Sequence, residues 1–260
     1  MLATPHGVNL EYLITGTGEP VTVFAHGLGN GIAETRPLAS AVTGRRVFFQ
    51  FRGHGESDAP DGQWTYQDLA RDLRAVADLT GATRALGVSM GAGALCRLIA
   101  ESPDRFDRMV MFLPAVLDTP RPLAARERLG ALLDAIDRGN AAEVAGVLEE
   151  DVPPALRNSP AAWSFLRQRI DQLMSYGLGA GLASLPDQVA VADRSLLRSV
   201  NARVLVIGCH GDVLHPAAVA EDLAATLPNA TLHLYDKPGV LWTQRADLRE
   251  RIAGFLNAEW

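Results

Sequence analysis

The run Gly87-Val88-Ser89-Met90-Gly91 has the spacing G-x-S-x-G and stands between an apolar stretch, 84–88, and a small-residue stretch of helical pattern, 91–101. A serine in such a strand–turn–helix sits in a strained turn that lifts its hydroxyl above the sheet, and the flanking glycines let strand and helix backbones pass closely. The chemistry this suits is nucleophilic attack on a carbonyl. The backbone N–H of Met90 then points at the developing oxyanion, helped by the helix N-terminus. The plain alternative is a tight turn with an incidental serine, but the strand before it and the helix after it favour the nucleophile. A second glycine-rich stretch, His26-Gly27-Leu28-Gly29, follows another apolar run and offers the N–H of Leu28 as a second oxyanion donor.

These groups need a scaffold, and the hydrophobic pattern supplies one. Short apolar runs at 21–25, 46–51, 84–88, 109–113, 203–207 and 231–235 read as buried strands. Between and after them lie helical patterns. Thr65 and Asp68 make a capping-box start for a helix over 65–80 that stops at Gly81, and Leu248, Ile252, Phe255 and Leu256 share one face of a helix over 245–257. Alternation of this kind implies a mostly parallel sheet covered on both faces. The rhythm breaks over 119–200, where helical patterns at 123–138, 141–150 and 161–175 occur without a convincing strand. Two glycine clusters argue weakly for a nucleotide. In Gly27-Leu28-Gly29-Asn30-Gly31 the third fingerprint glycine is replaced by Ile32, and Gly177-Leu178-Gly179-Ala180-Gly181 follows a helix and has no lysine.

With the elbow at Ser89, the loop at His26–Gly29 and Arg52-Gly53-His54-Gly55-Glu56-Ser57 after the second buried run, the chain resembles the α/β-hydrolase family over nearly its whole length. The resemblance implies an α/β-hydrolase fold: a mostly parallel, doubly wound sheet built from 1–118 and 201–260, with a helical cap inserted at 119–200. It also implies a catalytic acid after the strand that follows the cap. Gly208-Cys209-His210-Gly211-Asp212-Val213-Leu214-His215-Pro216 looks like that loop, and Asp212 is the matching carboxylate. Its plainer reading is an acid favoured by a helix N-terminus.

The family's base belongs just after the last strand. There the chain reads Lys237-Pro238-Gly239-Val240-Leu241-Trp242, with Val240 in the histidine's place and no histidine after His233. A serine hydroxyl without a base is a weak nucleophile, so the catalytic set reads as incomplete. Val240, Leu241 and Trp242 read instead as the wall of an apolar pocket, to which Trp163, Phe165, Leu166, Leu173, Met174 and Tyr176 of the cap are candidate additions. His215, three residues from Asp212, and His26, in the oxyanion loop, are the candidate substitutes. The helix start at Pro216 would keep His215 neutral, but its simpler reading is a helix-capping or surface histidine, and that of His26 a core histidine bonded to backbone. His210 is a weaker candidate still.

The expected function is therefore that of an α/β-hydrolase-type serine enzyme acting on a small lipophilic ester, thioester, lactone or C–C bond. A non-hydrolytic lyase, cyclase or isomerase and a degenerate ligand-binding protein are the alternatives motivated by the missing histidine. No cofactor and no metal are expected, because no His/Cys ligand spacing occurs. Composition bounds the rest. The 260 residues are 48% apolar and 21% charged with net charge −6, which excludes a disordered chain and disfavours nucleic-acid or membrane partners. Two cysteines make no disulfide framework. A cytoplasmic monomer or homodimer, with no signal peptide and no membrane span, is the expectation.

Overall fold

The computed structural model describes residues 1–176 and 178–258. Seven strands form the main sheet: β1 (Tyr12–Thr15), β2 (Val21–Ala25), β3 (Arg45–Phe49), β4 (Arg84–Val88), β5 (Arg108–Phe112), β6 (Arg203–Cys209) and β7 (Ala230–Tyr235). Their spatial order is β1-β3-β2-β4-β5-β6-β7. β1 runs antiparallel to β3, and every other neighbouring pair is parallel. The helices are α1 (Ile32–Leu38), α2 (Tyr66–Thr80), α3 (Met90–Glu101), α4 (Leu123–Asp137), α5 (Ala141–Glu149), α6 (Pro160–Ser175), α7 (Ala217–Thr226), α8 (Val240–Thr243) and α9 (Arg245–Asn257), with shorter turns between them.

The period-2 rule of strands sorts the apolar residues. Val21, Val23, Val47, Phe49, Met109 and Met111 face one side and join Leu69, Leu73 and Val76 of α2 and Leu95 and Leu98 of α3. Their neighbours Phe24, Phe48, Leu86, Val110 and Phe112 face the other side and join Leu38 of α1 and Leu248, Ile252 and Leu256 of α9. The predicted elements all form, with ends shifted by a residue or two. β1 was not anticipated: it is four residues at the sheet's edge, alternating exposed and half-buried, too short and too wet to give a strong pattern.

The expected start of α2 is present in full. The Thr65 hydroxyl accepts from the Asp68 N–H, the Asp68 carboxylate accepts from the Thr65 N–H, and Gly81 closes the helix in the left-handed conformation. Thr65→Ala is expected to cost about 1 kcal/mol, read as a lowered urea midpoint with an unchanged m-value.

Two features of the fold position the site. The order of strands reverses between β2 and β4, and ligands of open parallel sheets bind at such a switch point, beyond the carboxyl ends of the strands. The register Ala25↔Gly87 brings the loop after β2 beside the turn after β4. The second feature is the insertion between β5 and β6. It is helical, with no strand among its described residues; Gly177 of its glycine cluster lies outside them. Leu132, Leu133, Val144, Leu148 and Leu173 of this insertion share one apolar cluster with the α2–α3 side of the sheet. Buried Arg121 ties it down further, donating to the carbonyls of Leu185 (2.8 Å) and Gln188 (3.1 Å) and to Tyr66 Oη of α2 (2.7 Å). Among the described residues no helix is long and apolar enough to cross a membrane.

Candidate active site

Ser89 stands between β4 and α3 with φ 49° and ψ −106°, a backbone conformation that costs a non-glycine residue on the order of 1–3 kcal/mol and persists only where the surroundings enforce it. They do so here. The Ser89 N–H donates to the Phe112 carbonyl at 2.9 Å, and its carbonyl accepts from the Gly93 N–H at 3.0 Å. A Cβ on Gly87 would lie 2.6 Å from the Gly91 carbonyl, and one on Gly91 would strike the Ala25 carbonyl, so both glycines are required by close backbone approach.

Asp212 lies in the loop between β6 and α7. Its Oδ1 accepts the N–H groups of Leu214 (2.9 Å) and His215 (3.0 Å), which folds the loop back on itself. Its Oδ2 lies 3.0 Å from His215 Nδ1. His215 Nε2 lies 2.9 Å from Ser89 Oγ. With Nδ1–H donated to the carboxylate, Nε2 is left as the acceptor for the serine hydroxyl. Burial works against the Asp212 carboxylate, but the hydrogen bond and charge of His215 and the two backbone donors outweigh it and hold its pKa below the ordinary value. Asp212 thus also plays the part of its plainer reading, satisfying N–H groups ahead of α7.

Of the two candidate substitutes, His215, whose simpler reading was a helix-capping or surface histidine, is the one that the structure brings to Ser89 Oγ. The ring turns inward across the end of β5, over the strand that separates β6 from β4 in the sheet. His26 is not a substitute base. It is fully buried, its Nδ1 donates to the Gly27 carbonyl at 2.7 Å, and its Nε2 accepts the Phe51 N–H at 3.0 Å, so both ring nitrogens are spent on backbone. His54 is held likewise: Nδ1 donates to the Arg52 carbonyl and Nε2 accepts the Gly29 N–H, each at 2.9 Å. The two thiols are poor nucleophiles, since burial pushes Cys96 up to about 12, and burial with the charges of Asp212 and Asp236 pushes Cys209 up to about 11.

Ser89 opens into a cavity of about 710 Å³ at the carboxyl ends of the strands. Leu28 and Met90 line it beside the serine, as do Val240, Leu241 and Trp242, the expected apolar wall. Val240 begins α8, and the Trp242 indole meets Phe165 of α6 edge-on, with centroids 5.0 Å apart. Trp163 is not part of this wall. It is 67% exposed and lies with Leu166 along a shallow groove on the outer face of α6, because the inward stripe of that helix runs through Phe165, Arg169 and Leu173. Leu173 is buried in the core cluster, and Met174 and Tyr176 pack against it.

Glu34, Asp151 and Arg169 are among the charged groups at the cavity that sequence reasoning missed. Burial raises the pKa of both carboxyls, against the Gly27 N–H bond and Arg169 for Glu34 and against Arg128 for Asp151. A lone cation in an apolar helix stripe is a legible signal, and Arg169 fits it at i+4 from Phe165 and i−4 from Leu173. Among the described residues no cluster of His, Cys, Asp and Glu could hold a metal ion.

A family model described as alpha/beta hydrolase fold matches residues 20–239. A protein of Caulobacter segnis provisionally named the carbamate hydrolase RutD is 27% identical over 238 residues, 82% of this chain and 81% of its own. The 3-oxoadipate enol-lactonase 2 of Acinetobacter baylyi is 22% identical over 249 residues, 90% of this chain and 87% of its own. Among solved structures, the enol-lactonase of Burkholderia xenovorans LB400 superposes with a TM-score of 0.82 at 23% identity, covering 98% of this chain and 99% of its own, a likeness of fold.

Proposed function

The chain belongs to the α/β-hydrolase family, and from that premise we propose that it is a serine-dependent hydrolase of a small, lipophilic ester, thioester or lactone. One observation carries the reading: the continuous hydrogen-bonded line Asp212–His215–Ser89 at the floor of a largely apolar cavity. The hydrolase and lactonase names of its relatives point the same way.

The roles follow from the geometry. Ser89 Oγ attacks the carbonyl carbon as its proton passes to His215 Nε2. Asp212 fixes the tautomer through Nδ1 and stabilises the imidazolium that forms. The N–H groups of Leu28 and Met90 meet the oxyanion, where preorganised donors in a water-poor site lower the barrier most. His215 returns its proton to the leaving oxygen or sulfur, and water then releases the acyl group by the same route. Val240, Leu241, Trp242 and Phe165 offer apolar surface for the acyl or alcohol portion, at roughly 25 cal/mol per Å² buried.

The test is active-site labelling. A fluorophosphonate is expected to modify Ser89 stoichiometrically and to block turnover of p-nitrophenyl butyrate, which in the unlabelled protein starts with a burst of nitrophenol. Ser89→Ala is expected to lose both label and burst. Absence of labelling together with absence of turnover over a panel of activated esters and lactones would overturn the reading.

A further inference from the structure

The loop that carries the Leu28 N–H is held by side chains on every side. Its first amide, Gly27 N–H, donates to Glu34 Oε2 at 2.7 Å. The Gly27 carbonyl, which shares a peptide plane with the Leu28 N–H, accepts His26 Nδ1–H at 2.7 Å and the Asn30 N–H at 3.1 Å. The next plane has its N–H, that of Gly29, on His54 Nε2 at 2.9 Å. Its carbonyl, that of Leu28, accepts from Arg169 Nη2 at 3.0 Å, and Arg169 Nη1 donates to the Gly29 carbonyl.

All but one of these side chains come from the sheet core or from the loop and helix that follow β2. Arg169 comes from α6, about 140 residues along the chain, in the helical insertion. It is 8% exposed, and Glu34 and Asp151 supply the opposing charge that lets a guanidinium stay buried there. A planar fork addressing two successive carbonyls fixes the orientation of the peptide plane between them, which a point charge would do less well.

We propose that Arg169 is a positioning residue that makes the insertion part of the oxyanion site: by gripping the Leu28 and Gly29 carbonyls it fixes the two peptide planes that follow the Leu28 N–H and so limits the rotation of the backbone that carries that donor. This rests on the serine-hydrolase reading for its catalytic consequence but not for the positioning itself. Displacement of α6 would then weaken transition-state stabilisation without disturbing Asp212, His215 or Ser89.

The experiment separates oxyanion stabilisation from general damage by comparing an ester with its thionoester, whose C=S accepts hydrogen bonds poorly. Arg169→Met is expected to lower kcat for the ester by about 10- to 10²-fold, less than the loss of a whole oxyanion donor, with KM nearly unchanged. Turnover of the thionoester should change less than about threefold, as expected of a substrate that gains little from that donor. Arg169→Lys, which keeps the charge and covers the risk that the Met variant misfolds, should fall between. Amide hydrogen exchange over residues 27–31 should speed up in both variants while β4 and β5 stay protected. Equal loss on ester and thionoester, or unchanged exchange over 27–31, would overturn the proposal. Failure of the wild-type protein to take a fluorophosphonate at Ser89 would instead defeat the serine-hydrolase reading, and exchange would still decide the positioning of the loop.

Discussion

His215→Ala is expected to lower kcat on an activated ester by about 10⁴- to 10⁶-fold, with a thermal midpoint close to that of the unmodified protein. On the proposed reading the loss is large because His215 is the histidine hydrogen-bonded to Ser89 Oγ and takes its proton. His26 spends both ring nitrogens on backbone, and His54 does the same. The stability cost is small because the side chains of both His215 and Asp212 are partly open to solvent in the cavity. Asp212→Asn isolates the acid's part: an amide cannot hold Nδ1–H as an anion does, and a loss of about 10⁴-fold is expected. Steady-state rates with active-site titration measure both. Retention of activity within tenfold in His215→Ala would place the base elsewhere.

Acidification is expected to unfold the protein through its buried histidines well before Asp212 is protonated. Burial above all, with the charge of Arg169 adding to it, lowers the His54 pKa to about 4, against bonds to Arg52 and Phe51 that act the other way. An unfolded histidine takes its proton near 6.5. Between these values the unfolded chain binds more protons, so stability falls as pH falls. The contribution is fully present above about 6.5 and is lost down to about 4, amounting to about 3 kcal/mol. His26, shifted down by burial and by its neighbour His54, pushes in the same direction. Glu34 and Asp151, raised by burial, push in the opposite direction as they titrate. The variant His54→Gln isolates the effect. Its urea stability should vary less between pH 6.5 and 4 than that of the unmodified protein, and parallel pH profiles would refute the assignment. The structural reason is specific: His54 Nε2 accepts the Gly29 N–H, so a proton there evicts the oxyanion loop from its anchor.

Much of this was legible from residues alone because local periodicity decides it. Phe24 and Phe48 alternate with Val23 and Val47 in short β-branched runs, and the core follows that alternation face by face. Thr65, Asp68 and Gly81 set the limits of α2 through bonds within a few residues. The strained turn at Ser89 was legible because it needs its glycines nearby in sequence. The approach of His215 to Ser89 was not. Its distance to Asp212 is local, but its distance to Ser89 depends on how the loop after β6 crosses the end of β5, a relation between chain positions 126 residues apart. Trp163 failed for a related reason: helical spacing says which residues share a stripe, but not which stripe the insertion turns inward. Arg169 carried a signal, a cation in an apolar row, whose meaning needed the loop it grips.

On the proposed reading acid and base stand on one turn, which has a consequence for the chain that follows. When these two groups come from loops far apart in sequence, their meeting carries a loop-closure entropy that grows with the separation. Asp212 and His215 are three residues apart and are held by backbone bonds within the same turn, so their pairing is a local equilibrium. On that reading the proposed proton relay needs nothing after α7. The segment from β7 through α8 becomes a module that shapes the cavity wall, and substitutions at Val240, Leu241 or Trp242 can alter what the cavity admits while the relay keeps its geometry. Selectivity and reactivity, coupled where one loop must serve both, can here vary as separate traits.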